Sequence, residues 1–178
     1  MNQTAIVLSG ISEIRALKGR PAVYSPWLRV DQPMIDRFAE AIFDRQWIHV
    51  DAERAARESS YGKTIAHGFL TLSLLSHLFT GCFSFPNRRM SVNYGFDRVR
   101  FTSAVEVDSD IRAAIALADF TDIGSHELRA VWDVQVEVAG RTKLLHMADP
   151  GVLLSILFYD WDGADTRATV SADRGGNR

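Results

Sequence analysis

Apolar residues at three- and four-residue intervals make the first readable element of the chain. Ile35, Phe38, Ala39 and Ile42 fall on one helix face. Asp31 is a good N-cap and Pro33 suits a first turn, so the spacing predicts a helix from Asp31 to about Phe43. A second, short helix is predicted after Asp51, another capping residue, with Ala52, Ala55 and Ala56 on one face. Ser59-Ser60-Tyr61-Gly62 reads as a loop. A third helix, from about Ile65, runs through Phe69, Leu72 and Leu75 to about Phe79, with Gly81 as its stop. Around it, from Thr64 to Asn87, there is no Asp, Glu, Lys or Arg, a length that can cross a bilayer. That stretch nevertheless carries Thr64, His67, Thr71, Ser73, Ser76, His77, Thr80 and Ser84, and it includes Pro86. These are too many polar groups for lipid on every side, so the pattern predicts a helix buried all round inside a fold.

After Pro86 the period changes to two. Leu128, Ala130, Trp132, Val134, Val136 and Val138 alternate with Arg129, Asp133, Gln135 and Glu137, Val131 being the exception. That is a strand with one buried face. Met90–Phe101 and Asp110–Leu117 read as two further strands, and the short apolar run Val152–Tyr159 as a buried one. Ala139-Gly140-Arg141 reads as a hairpin turn into a strand over Thr142–Ala148. The last stretch, Asp162–Arg178, is small and polar and reads as a loosely held tail after a domain over residues 1–161. Helices first and antiparallel strands later argue an α+β fold, with a meander sheet curved around the third helix.

Composition narrows the class further. The chain has 178 residues, is 47% hydrophobic and 24% charged, and is long enough for one ordinary globular domain. Twenty basic against 22 acidic side chains give a net charge of -2, which points away from nucleic acid and anionic membranes. A single cysteine, Cys82, excludes an internal disulfide and a cysteine metal cluster, and inside its apolar run it reads as a small core residue. Met1–Arg20 lacks a basic leader and Ala5–Leu8 is too short for a signal peptide, so a cytoplasmic location is expected. His126 and His146 have no ligand-like spacing, and no metal is assigned.

Two places carry candidate chemistry. In Asp44-Arg45-Gln46-Trp47-Ile48-His49 a carboxylate and an imidazole lie five residues apart, in the link between two helices. Such a pair can hold one water, one group removing its proton while the other donates or orients. The same spacing also suits a turn capped by Asp44 and a structural hydrogen bond from His49. In Ala66-His67-Gly68, at the start of the third helix, free N–H groups meet the positive dipole end. A glycine there lets a carbonyl approach the backbone, as a thioester oxygen becoming enolate-like would require, or simply lets the helix pack closely.

Taken together, Phe38 to Leu78 resembles the signature of the MaoC-like (R)-specific enoyl-CoA hydratases and dehydratases, which are hotdog-fold proteins. The family's carboxylate, three intervening positions, hydrophobe and His-x-Asp are matched by Asp44, Arg45-Gln46-Trp47, Ile48 and His49-Val50-Asp51. Ala55 and then Thr64-Ile65-Ala66-His67-Gly68-Phe69-Leu70-Thr71 match the entry into the central helix. Asn93-Tyr94-Gly95-Phe96-Asp97-Arg98-Val99-Arg100-Phe101 is similar to the following strand in the nodulation-protein-N-like branch. The likeness covers roughly Ser25 to Val107. It departs at Phe43, where the family usually has Gly, at Gln46-Trp47, where many hydratases have Asn-Pro, and after Gly140, where Asp149-Pro150-Gly151 interrupts the expected last strand.

The resemblance implies reversible addition of water across the 2,3 position of a trans-2-enoyl thioester of coenzyme A or acyl carrier protein, without a cofactor. It implies Asp44 and His49 as the catalytic dyad and the Gly68 N–H as oxyanion donor. Substrate binding falls to Ser76, His67, Asn93 and Tyr94. It also implies a homodimer whose sheets join edge to edge. A module that binds acyl thioesters without turning them over remains an alternative. So does thioester hydrolysis or a specialised biosynthetic dehydration on the same fold.

Overall fold

The period-two stretch becomes the centre of the molecule. In a computed structural model that describes residues 4–97, 99–140 and 152–159, strand β7 (Glu127–Val138) buries every second side chain, from Leu128 to Val138. Strict alternation commits one face to the core; Val131 simply falls on the other face, where it is half-buried. Around β7 the main sheet is antiparallel, in the order β2 (Val23–Tyr24), β6 (Ser109–Gly124), β7, β8 (Val152–Tyr159), β5 (Met90–Asp97). Strand β3 (Leu28–Val30) pairs with a different stretch of β6. Bulges after Leu117 and Asp122 turn the outer half of β6 away from the core, and its side chains there are mostly exposed. A second, two-stranded parallel sheet pairs β1 (Ile6–Val7) with β4 (Phe83–Ser84), and the short helix α1 (Ile11–Arg15) follows β1.

The remaining helices are α2 (Gln32–Ile42), α3 (Trp47–Val50), α4 (Ala52–Glu58) and α5 (Gly68–Cys82). The predicted caps are in place. Asp31 accepts from the Met34 N–H and Asp51 from the Arg54 N–H, each at 2.9 Å. Of the three alanines expected on one face of α4, only Ala55 is buried; Ala52 and Ala56 are exposed because the helix lies on the surface by one narrow edge.

Helix α5 lies across the sheet and sends Leu70, Leu75, Leu78, Phe79 and Cys82 into the common core. There Trp132 meets Phe79 and Phe83 with ring centroids 5.1 Å apart. Helix and sheet together form the hotdog arrangement. Three expectations for this helix need correction. It begins at Gly68 rather than Ile65, because residues 64–66 run extended: Ala66 N–H donates to Val105 O at 2.7 Å and Val107 N–H to Thr64 O at 2.9 Å. It ends beyond Gly81, whose small size serves close packing instead, since a Cβ there would lie 2.9 Å from the Pro26 ring. And it is not buried all round in the single chain: Phe69, Ser73, Ser76, His77 and Thr80 form an exposed stripe at helical spacing. No helix among the described residues is long and apolar enough to cross a membrane. The Cys82 thiol is buried and burial pushes its pKa up to about 12, as suits a core residue.

Of the expected turn, Ala139 and Gly140 form a turn with Gly140 at φ 76°, while Arg141, the strand over 142–148, the break at 149–151 and the tail over 162–178 lie outside the described residues.

Candidate active site

Three backbone devices place Asp44 beside His49. Helix α2 stops at Phe43, which adopts the left-handed conformation at φ 61°. That region favours Gly, which explains why Gly is the residue the resemblance expects there. The Phe43 side chain is 87% exposed, so it neither displaces Asp44 nor fills the cleft described below. Asp44 then turns the chain, its Oδ1 accepting from the Gln46 N–H at 3.3 Å. One turn of helix follows, α3, and it rotates His49 inward while Trp47 stays under the Arg54 guanidinium, 4.5 Å from its ring centroid.

His49 is buried, and its environment fixes which nitrogen carries the hydrogen. Nδ1 lies 2.6 Å from the Ile65 carbonyl, an acceptor only, so Nδ1 donates and Nε2 keeps its lone pair. The partner carbonyl is held in turn: the Ile65 N–H donates to Ile48 O at 3.0 Å. Gln32 ties the same segment from α2, donating from Nε2 to His49 O at 2.7 Å and accepting from Thr64 Oγ1 at 2.6 Å. Burial lowers the pKa of His49 below 6.5. The Ile65 carbonyl opposes that shift, the neighbouring His67 adds to it, and Asp44 opposes it. The environment thus favours the neutral imidazole.

One ligand-type atom from each of Asp44, His49 and His67 lies within 4.8 Å of the other two, and among the described residues this is the group dense enough to offer a cation three ligands. A single water, about 2.8 Å from each of two such atoms, also bridges a separation of this size. The Asp44 side chain is half exposed, whereas both imidazoles are buried.

Gly68 opens α5 next to this group. Its N–H is among those a helix leaves without an internal partner. His49 and Gly68 line one cleft of about 260 Å³, with Tyr61, Thr71 and the segment from Phe101 to Val105 as its other walls. The Phe101 ring rests directly on Gly68, where a Cβ would come within 2.7 Å of it. The close approach that requires glycine is thus made by this ring, from the loop after β5, and not by the sheet.

The expected site residues divide. Asp44, His49 and His67 come together, and Gly68 shares with His49 a cleft whose walls include neither Asp44 nor His67. Ser76 and Asn93 instead bond to each other, Asn93 Nδ2 donating to Ser76 Oγ at 3.2 Å, at a separate hollow of about 190 Å³ between α5 and β5. Tyr94 is 63% exposed on β5. Sequence reasoning missed Gln32, Tyr61, Thr64, Thr71 and Phe101. Thr71, one turn beyond Gly68 in an apolar run, was a signal; the role of Gln32 depends on a contact across 32 residues that no local pattern shows. Arg98 lies outside the described residues, and Arg100 donates to the Val99 carbonyl.

The model of the MaoC-like domain matches residues 13–138. The chain belongs to the MaoC-like family. Among relatives of this MaoC-like protein, nodulation protein N of Rhizobium meliloti is 43% identical over 134 residues, 75% of this chain and 83% of that one. The 3-hydroxyacyl-thioester dehydratase Z of Mycobacterium tuberculosis is 38% identical over 133 residues, again 75% of this chain and 87% of that one. In three dimensions the MaoC-like protein is similar to the (R)-hydratase of A. caviae involved in PHA biosynthesis, with a TM-score of 0.58 at 18% identity over 78% of this chain and 95% of that one. The relatives thus include a 3-hydroxyacyl-thioester dehydratase, and the likeness in three dimensions shows the shared fold.

Proposed function

We propose that this protein adds water to, or removes it from, the 2,3 position of an acyl thioester carried by coenzyme A or acyl carrier protein. The observation that carries the reading is the setting of His49: its Nδ1–H is committed to the Ile65 carbonyl, which leaves the Nε2 lone pair open, a ring nitrogen lies within 4.8 Å of an Asp44 carboxylate oxygen, and the residue lines the same cleft as Gly68. His49 and Asp44 hold the water between them, and His49 Nε2 takes its proton as the hydroxyl bonds to C3. The Gly68 N–H stabilises the negative charge gathering on the thioester oxygen. The proton removed from water returns to C2, so one water is consumed for each double bond lost. Because the dyad lies to one side of the acyl chain, one enantiomer of the 3-hydroxyacyl product forms. Loss of the conjugated enoyl absorbance of a short trans-2-enoyl-CoA, with chiral analysis of the product, tests this. An (R)-3-hydroxyacyl product is expected; binding without turnover across short, medium and branched chains would overturn it.

The pKa of His49 sets the pH dependence. Hydration needs the unprotonated base, and the pKa lies below 6.5, so kcat/KM stays level through neutrality and falls only at more acid pH. Asp44 and His67 are the ionisable neighbours that pull on it in opposite directions, and Tyr61 faces it across the cleft. A pH–rate profile whose acid limb is centred above 6.5 would contradict this assignment.

The functional unit is a homodimer joined along β5. Among the described residues that strand is the sheet's outermost member, paired along one backbone edge only, with Met90, Val92, Tyr94 and Phe96 exposed. Light scattering is expected to give twice the chain mass at micromolar concentration; monomer throughout a dilution series would refute the pairing.

A further inference from the structure

His67 has no part in the dyad mechanism, yet it is among the most constrained polar residues in the protein. It is 3% exposed, at the N-cap of α5. Its Nε2 lies 3.0 Å from the backbone carbonyl of Asp44 and 3.9 Å from the Asp44 carboxylate. A carbonyl can only accept, so Nε2 carries the hydrogen and donates. One face of the ring is stacked on His49, centroids 3.7 Å apart and planes 24° from parallel. Phe38 packs against the ring at 5.4 Å. Nδ1 is buried and has no hydrogen-bond partner among the described residues. His67 is absent from the walls of the cleft that His49 and Gly68 share.

We infer that His67 is a positioning residue: its one N–H fixes the backbone at Asp44 while its ring braces that of His49, so a single side chain sets the spacing of both dyad members. This rests on the dyad reading above and replaces the substrate-binding role expected for His67. The imidazole reaches from the start of α5 to the turn after α2. Without it the Asp44 carbonyl loses its donor and the His49 ring loses a packed face, and the loss falls on the geometry of reaction rather than on affinity.

Three variants separate the parts. His67→Leu removes both donor and ring, and is expected to lower kcat about 100-fold with KM changed less than about threefold. His67→Gln keeps an N–H donor at a comparable reach and should recover most of that loss, whereas His67→Phe keeps only the ring and should recover less. Imidazole nitrogen NMR of the wild-type protein gives a readout that needs no variant and no turnover, with His67 expected as the Nε2–H tautomer. Wild-type kcat in a folded His67→Leu protein would overturn the inference, as would a loss confined to KM. If His67→Leu does not fold, the NMR decides: an Nδ1–H tautomer removes the bond to Asp44 and the proposal with it. Absence of turnover in the wild type would instead sink the dyad reading, and the tautomer would still report whether His67 holds the Asp44 turn.

Discussion

Asp44→Asn and His49→Ala should each lower kcat/KM for enoyl-thioester hydration by about 10³-fold, within the range a positioned acid–base group supplies. The two losses have different origins. Asp44→Asn keeps shape and hydrogen bonding but removes the negative charge that orients the water and steadies a protonated His49. The Asp44 side chain is half exposed, so its change should barely move the melting temperature. His49→Ala removes the base itself and leaves the part-buried Ile65 carbonyl without its donor, which costs about 1 kcal/mol of stability. His49→Gln, which offers an amide N–H in the same space, separates the two effects: it should restore stability without restoring rate. Initial rates and melting temperatures measured together on the same preparations check this. A folded variant of either residue that keeps a tenth of wild-type kcat/KM would exclude that residue from the chemistry.

Trp132→Ala should destabilise the fold by about 3–5 kcal/mol, the usual loss for a large aromatic side chain removed from a close-packed core. Trp132 is fully buried on β7 and packs edge-on against Phe79 of α5, so it is one of the contacts that hold the sheet to the helix carrying Gly68. In a chain of this size that loss lowers Tm by about 6–20 °C. Trp132→Phe should cost much less, because it leaves a smaller cavity and removes an indole N–H that has no hydrogen-bond partner among the described residues. Urea unfolding of the two variants measures the difference. Equal destabilisation would mean that β7 and α5 adjust around the missing volume.

Much of this fold was legible because local physics and the core agreed. Alternation over β7 and the caps at Asp31 and Asp51 each follow from one residue's chemistry, and the structure places them as expected. Residues 152–159 form strand β8, as the short apolar run predicts. The start of α5 was not legible. Thr64 to Ala66 look helical in isolation, but their backbone groups pair with residues 105–107, about forty positions along the chain. That same pairing aims the Ile65 carbonyl at His49, so the mistake in the helix boundary and the missed partner of the base have one cause. The closeness of Asp44 and His49 was visible through the motif around them. Its supports, Gln32 and the ring of Phe101, were not, since each acts across a contact that only the folded chain creates.

The central claim is that Asp44 and His49 act on one shared water rather than in separate steps, and a double-mutant cycle tests it most directly. Rates of hydration are measured for the wild type, Asp44→Asn, His49→Ala and the protein carrying both changes, on one trans-2-enoyl-CoA. Residues that work as a unit show losses far from multiplicative. The account predicts that the double variant is no slower than the worse single variant, within about threefold. Losses that multiply, with the double variant slower by the product of the two single effects, would show that the two residues do not share a water.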